Sequence, residues 1–150
     1  MARADRPGRR RAVVLMRQLT PDDVQAIAVL ERLCFSSSWS AESYAIQFEI
    51  PGTGGWGIWD GELVAVLVHT PADCEATYIV TVATHPDHRK KGHASRLLEQ
   101  ASSLLKPHAL HVRPSNKEAV SMYQRRGFFE VRRDENYYDD GEDAILMIRY

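Results

Sequence analysis

The chain has 150 residues, a net charge of -1 and two cysteines, a length that suits one domain burying roughly two-thirds of the surface its unfolded form would expose. The balanced charge argues against a protein that coats nucleic acid, and Cys34 and Cys74 form no C-x-x-C, so neither a zinc site nor a disulfide framework is indicated. The longest apolar runs, AVVLM and LVAVLV, are far too short to span a bilayer; a cytoplasmic protein is expected, with no membrane association and no specific nucleic-acid partner.

Residues 1–11, MARADRPGRRR, have the composition of a disordered basic arm, either a solvated tail or a segment that touches ribosomal RNA. Residues 12–150 read as one domain without repeats or a linker. Val13 to Arg17 forms a short first strand, after which Thr20-Pro21-Asp22-Asp23 supplies an N-cap, a proline at the first helical position and an acid three residues on. The following helix puts Val24, Ile27, Ala28, Leu30 and Cys34 near one face. Ser40 caps a second helix carrying Tyr44, Phe48 and Ile50, which Pro51 and the glycines of PGTGG end. Between the two lies the loop FSSSWS.

WGIWDGELVAVLV is a hairpin signal, two β-prone runs joined at Asp60-Gly61, a dipeptide suited to a type I′ turn. A polar loop, PADCEA, leads to the strand TYIVTVAT (77–84), whose continuous apolar character predicts burial on both faces. A helix from about Gly92 to Leu105 carries an apolar stripe of Leu97, Leu98, Ala101, Leu104 and Leu105. The short strand 109–112 follows, giving a βαβ crossover with parallel neighbours. Lys117 to Arg126 makes a last helix with Val120 and Tyr123 inward and Gly127 as its C-cap. Phe128 to Asn136 and Ala144 to Ile148 are two final strands joined by DDGED. The order is β-αα-βββ-α-β-α-ββ.

HRKKGHASRLL (88–98) places three cations against a helix start, where acids usually gather. Main-chain N–H groups from about Arg89 to Ser95 converge with the free N–H groups of that start, and Gly92 lets a bulky anion approach the backbone. The loop therefore reads as a polyphosphate site. A solvated basic turn is the alternative for R-x-x-G-x-A alone.

Four motifs in order, R-x-x-G-x-A after the fourth strand, LHVRPSN on the fifth, A-x-x-x-Y-x-x-x-G-F on the next helix and NYYDDGEDA near the end, resemble the GCN5-related N-acetyltransferases. Within that superfamily the chain looks most like the protein N-terminal acetyltransferases, both the bacterial RimI type and the catalytic subunits of eukaryotic and archaeal complexes. The resemblance implies a single mixed, mostly antiparallel seven-stranded sheet flanked by four helices, splayed between the strands of Tyr78 and His111. It implies acetyl-coenzyme A as cosubstrate, with the pyrophosphate on Arg89, Lys90, Lys91, Gly92, His93, Ala94 and Ser95. The pantetheine arm would lie along Val82, Ala83 and Thr84, with a backbone N–H near Val82 for the thioester oxygen and Asn116 as a further cofactor contact.

By the same matching Tyr123 is the proton donor to the coenzyme A sulfur, with a core tyrosine as the plain alternative. RimI-type enzymes carry glutamate where this chain has His111, so a carboxylate base is not implied. A tyrosine on the fourth strand and a histidine on the fifth, here Tyr78 and His111, handle the amine proton through water in the eukaryotic N-terminal acetyltransferase E. An α-amine, with a pKa of about 7.7 to 8.0, needs only a mild base, whereas lysine lies at about 10.4. Phe35 and Trp39 of FSSSW, with Tyr137 and Tyr138, are the candidates for gripping an acceptor peptide; core packing is the alternative for Phe35. His85, His88, His93 and His108 suggest no ligand set, and no metal is expected.

These residues point to direct acetyl transfer to a protein N-terminus, with a ribosomal protein favoured. Lysine or small-amine acetylation by the same core is one rival, and a non-catalytic acetyl-coenzyme A-binding subunit is another. A monomer or weak oligomer is expected, with room for an auxiliary subunit.

Overall fold

The computed structural model describes residues 13–150, so the expected basic arm at 1–11 lies outside the described residues. The elements are β1 (Leu15–Gln18), α1 (Val24–Cys34), α2 (Ala41–Phe48), β2 (Gly54–Asp60), β3 (Glu62–Ala72), β4 (Ala76–Thr84), α3 (His93–Gln100), β5 (His108–Val112), α4 (Lys117–Arg125), β6 (Phe129–Asp134) and β7 (Ala144–Arg149). This is the expected order. Local chemistry explains the helix starts: the Asp23 carboxylate accepts from Thr20 N at 2.8 Å while Thr20 Oγ1 accepts from Asp22 N, and Ser40 Oγ accepts from Ser43 N at 3.1 Å. No helix among the described residues is long and apolar enough to cross a membrane.

The seven strands form one sheet in the order β1-β2-β3-β4-β5-β7-β6. Every pairing is antiparallel except β4 with β5, which is limited to Thr77↔His108 and Tyr78↔Ala109. Beyond Tyr78 the two strands part, leaving the β5-facing edge of β4 without a strand partner among the described residues. A β-bulge sharpens the departure: His69 pairs with Ile79 and Val68 with Thr81, so Val80 is an extra residue in β4. Such a bulge bends the strand and re-aims its side chains.

Helices α3 and α4 cover one face over Ile58, Leu67, Ile79, Leu97, Leu98, Leu110 and Met147, while α1 and α2 cover the other over Ile27, Leu30, Tyr44, Val66 and Val68. Several sequence expectations shift. β4 alternates buried and half-buried residues instead of burying both faces, because the splay exposes one side of it to a cleft. The first strand is shorter at its start, Val13 being 82% exposed, since pairing with β2 begins only at Leu15. PADCEA is half strand, because Pro71 and Ala72 pair with Thr77 and Ala76, leaving Asp73–Glu75 as the turn.

The β2–β3 connection is not a type I′ turn: Gly61 has φ +78° but Asp60 stays in the strand without positive φ. α3 ends at Gln100 and tightens into a 3₁₀ turn, where Ser102 and Ser103 donate to the Glu99 and Gln100 carbonyls; this turns Leu105 outward, 69% exposed. β6 spans Phe129–Asp134, shorter at both ends than expected, which frees Glu135 and Asn136 for the loop to β7.

Candidate active site

The parting of β4 and β5 opens a cleft of about 860 Å³, within the range of cofactor pockets. Its wall runs from Phe35 and Trp39, along Val80 to Thr84, to the start of α3, and back over Asn116, Tyr123 and Tyr138. Of the expected cofactor residues, Val82, Ala83, Thr84, Arg89, Lys90, Gly92, His93, Ala94, Ser95 and Asn116 all line it. Lys91 does not; its ammonium lies 3.4 Å from His88 Nδ1.

The start of α3 is built to receive something. Gly92 is its N-cap in the left-handed region, φ +78°, with no side-chain cap and no acid in the first turn. The first N–H groups of a helix have no intrahelical acceptor. A Cβ placed on Gly92 would meet nothing within 4 Å among the described residues, so it faces open space. Lys90 also has positive φ, +62°, and alternation of this kind turns successive N–H groups toward a common concavity. His93 is buried, 7% exposed, yet among the described residues neither ring nitrogen has a hydrogen-bond partner. Burial, with Arg96, Lys91 and His88 nearby, pushes its pKa below the ordinary histidine value. Arg89 Nε and Cys34 Sγ both donate to the Thr84 carbonyl, at 3.3 and 3.2 Å, which ties the loop to the end of β4. Asn116 Oδ1 caps α4 by accepting from Ala119 N, leaving its Nδ2 to donate elsewhere. An uncapped helix start, an unpaired strand edge and an open glycine together fit a nucleotide with a long, amide-bearing arm.

At the fork itself Tyr78 Oη lies 2.6 Å from His111 Nδ1, and His111 Nε2 lies 2.8 Å from Asp134 Oδ2. The sequence candidates Tyr78 and His111 are thus brought together by the two strands that part just beyond them. Tyr137 stacks on the imidazole, centroids 4.4 Å apart and planes 16° apart. Burial, reinforced by Tyr137, pushes the Tyr78 phenol well above its usual range, so it remains an O–H donor. Asp134 is held below the usual carboxylate range chiefly by Arg132, then by His111.

Tyr123, 6% exposed, packs its ring edge-on against Phe128 at 5.7 Å within the core and lines the cleft. It is therefore both a core residue and a wall residue. Burial raises its pKa, and it keeps its proton at neutral pH.

A second cavity of about 210 Å³ adjoins the cleft and is lined by Trp39, Gln47, Thr70, Tyr78, Val80, His111, Tyr137 and Tyr138. Trp39, Val80, His111 and Tyr138 belong to both, so the two spaces meet at His111. Three of the four aromatic acceptor candidates therefore gather here. Phe35 instead lines the larger cleft while packing against the α1–α2 core. The loops face each other closely enough for Ser37 Oγ to donate to Asp139 Oδ2 at 3.3 Å. Tyr138 lies under the Arg113 guanidinium at 3.9 Å, and Arg113 grips Asp140 and Glu142 at 2.8 and 3.0 Å. Burial pushes the Tyr138 phenol up to about 12 against the opposing pull of Arg113.

Comparison with known proteins accords with this geometry. The chain matches the acetyltransferase (GNAT) family over residues 24–128. The chain belongs to that family. An N-alpha-acetyltransferase of Saccharolobus solfataricus is 37% identical over 78 residues, 48% of this chain and 47% of that protein. The chain spans about half the length of the archaeal relatives that it matches in this way. The ribosomal protein bS18-alanine N-acetyltransferase of Escherichia coli is 28% identical over 144 residues, 86% of this chain and 92% of that one. The crystal structure of the ribosomal-protein-S18-alanine N-acetyltransferase from Escherichia coli matches with a TM-score of 0.80 at 25% identity, covering 91% of this chain and 93% of that one.

Two residues of this GNAT domain escape sequence reasoning. Asp134 was legible only as one charge among several in FFEVRRDEN; its place beside His111 depends on strand order. Glu31, 4% exposed, accepts from Trp39 N at 2.9 Å and from the Tyr44 hydroxyl, and so pins the FSSSW loop. Its signal was available: a carboxylate one helical turn after Ile27, on the apolar face of α1. The buried Tyr44 phenol is pushed far up by burial and by Glu31.

Proposed function

We propose that this protein transfers the acetyl group of acetyl-coenzyme A directly to the α-amine of a protein N-terminus, with a ribosomal protein as the favoured acceptor. The observation that carries this reading is the Tyr78–His111 pair, 2.6 Å apart at the meeting of cleft and aromatic cavity. The match to the bacterial ribosomal-protein acetyltransferase across most of both chains supports it.

When bound, the cosubstrate supplies an activated acetyl thioester. The start of α3 would hold its pyrophosphate, and the unpaired edge of β4 from Val80 to Thr84 would hold the extended arm. Backbone N–H groups there, near the Val80 bulge, would polarise the carbonyl. His111 accepts the amine's proton through Tyr78. Tyr123 holds a proton at the cleft wall for the departing sulfur; a phenol is a weaker acid than a thiol, so position has to supply the help. A base of histidine strength is matched to an α-amine and not to lysine. Trp39, Tyr137 and Tyr138 would clasp the extended peptide.

The test is a mass-spectrometric screen of N-terminal peptide libraries incubated with acetyl-coenzyme A. Acetyl groups confined to α-amines are expected. Acetylation of internal lysines on peptides with blocked N-termini would overturn the reading in favour of the lysine rival.

A further inference from the structure

Asp134 lies outside the residues matched to the family, 24–128, and carries none of the roles assigned above. Its contacts nevertheless constrain the chemistry of the fork. The carboxylate is held ionised by Arg132, whose Nε donates to Oδ1 at 2.8 Å and whose Nη2 reaches Oδ2 at 3.4 Å. An ionised carboxylate only accepts hydrogen bonds. His111 Nε2, 2.8 Å from Oδ2, must therefore carry a proton. A neutral imidazole has one N–H, so Nδ1 presents its lone pair to the Tyr78 hydroxyl. The opposite tautomer would set the Nε2 lone pair against the carboxylate. Tyr137 stacks on one face of the ring.

The backbone makes this arrangement. β6 carries a bulge, Glu130 pairing with Met147 and Arg132 with Leu146, so that Val131 is extra. After the bulge, Arg132 and Asp134 are two apart in a strand and share a face. β7 lies between β6 and β5, with Leu146 opposite His111 on one side and Arg132 on the other.

Building on the proposed function, we infer that Asp134 is a positioning residue that fixes His111 as the Nε2–H tautomer and steadies the imidazolium formed during proton removal. The amine gives its proton to Tyr78 Oη as that hydroxyl passes its own proton to His111 Nδ1. The phenol ends intact, the amine neutral, and the imidazolium keeps its Nε2–H on Asp134. Three residues from β4, β5 and β6 thus act as one unit.

The experiment uses the full chain with nitrogen-15-labelled histidine, in wild type and in Asp134→Asn and Asp134→Glu. Long-range nitrogen–proton NMR correlations read the tautomer of His111, and steady-state kinetics with acetyl-coenzyme A and an acceptor peptide read turnover. Wild type is expected as Nε2–H. In Asp134→Asn the amide can donate to Nε2, so Nδ1–H signal appears and kcat falls by about tenfold or more, as it does where a carboxylate orients a catalytic histidine. The KM for acetyl-coenzyme A stays unchanged, and Asp134→Glu recovers both the tautomer and part of kcat. An unchanged tautomer and kcat in Asp134→Asn overturn the inference, as does a lowered melting temperature with lost kcat and no tautomer change, which marks a structural brace. If His111→Ala acetylates N-termini at the wild-type rate, the base assignment fails independently, whatever the tautomer.

Discussion

Removing the hydroxyl of Tyr123 separates its proposed role as proton donor from its structural role. The ring is 6% exposed and packs against Phe128, and both survive in Tyr123→Phe. Among the described residues only burial and the nearby Tyr138 act on the phenol, with no hydrogen bond. Removing a hydroxyl without a partner costs no protein hydrogen bond. The stability change is expected within about 0.5 kcal/mol, a shift of at most about 2 °C in melting temperature for a chain of this size. Loss of a general acid costs about 10²- to 10⁴-fold in rate, which is roughly 3 to 5 kcal/mol of transition-state stabilisation. The assay is release of free coenzyme A thiol under saturating peptide and acetyl-coenzyme A, beside a thermal melt. A kcat reduced less than threefold refutes the acid role. So does a melting temperature lowered by several degrees with a proportionate fall in active protein, which is the behaviour of a core tyrosine.

Gly92→Ala tests the proposed anion site: φ of +78° costs an alanine about 1 to 2 kcal/mol of stability, but its methyl meets no atom of the described residues within 4 Å and would stand in the space proposed for the pyrophosphate. The KM for acetyl-coenzyme A should rise about tenfold or more with the peptide KM unchanged, checked by steady-state kinetics. Glu31→Gln should lower stability by about 1 to 3 kcal/mol in denaturant titrations and raise the peptide KM, because the side chain that accepts from Trp39 N and the Tyr44 hydroxyl loses an acceptor oxygen. Asp23→Asn should cost about 1 to 2 kcal/mol at neutral pH through loss of the cap and the Arg17 pair. Arg17 holds the Asp23 carboxyl below its ordinary 3.8, so its stabilisation is complete above that value and is lost as pH falls through the lowered pKa. Melts of wild type and variant should therefore converge in strong acid and diverge near neutrality.

Features written by neighbours in the chain were legible before the fold was seen. The TPDD cap, the basic RKKGHAS turn and the apolar stripe of Leu97, Leu98 and Ala101 depend on spacings of a few residues. Tyr78 and His111 were legible through family motifs, and the two strands that carry them are bonded to each other just where they begin to part. Asp134 was not legible, because its contact with His111 depends on β7 inserting between β5 and β6 and on the Val131 bulge resetting the register. The Val80 bulge, which turns a continuous apolar run into a half-exposed cleft wall, likewise has no local signature. Leu105 missed its place on the α3 stripe because Ser102 and Ser103 compete for the helix carbonyls.

The most direct measurement of the central claim is a single reaction on a peptide bearing both a free α-amine and an internal lysine, with acetyl positions read by fragmentation mass spectrometry. At neutral pH the α-amine is partly unprotonated while lysine is almost wholly charged, and the base proposed at the fork is a histidine. The acetyl group is expected on the α-nitrogen, disappearing in Tyr78→Phe and His111→Ala. Equal or greater labelling of the lysine nitrogen, or α-acetylation that persists at full rate in both variants, would contradict the account.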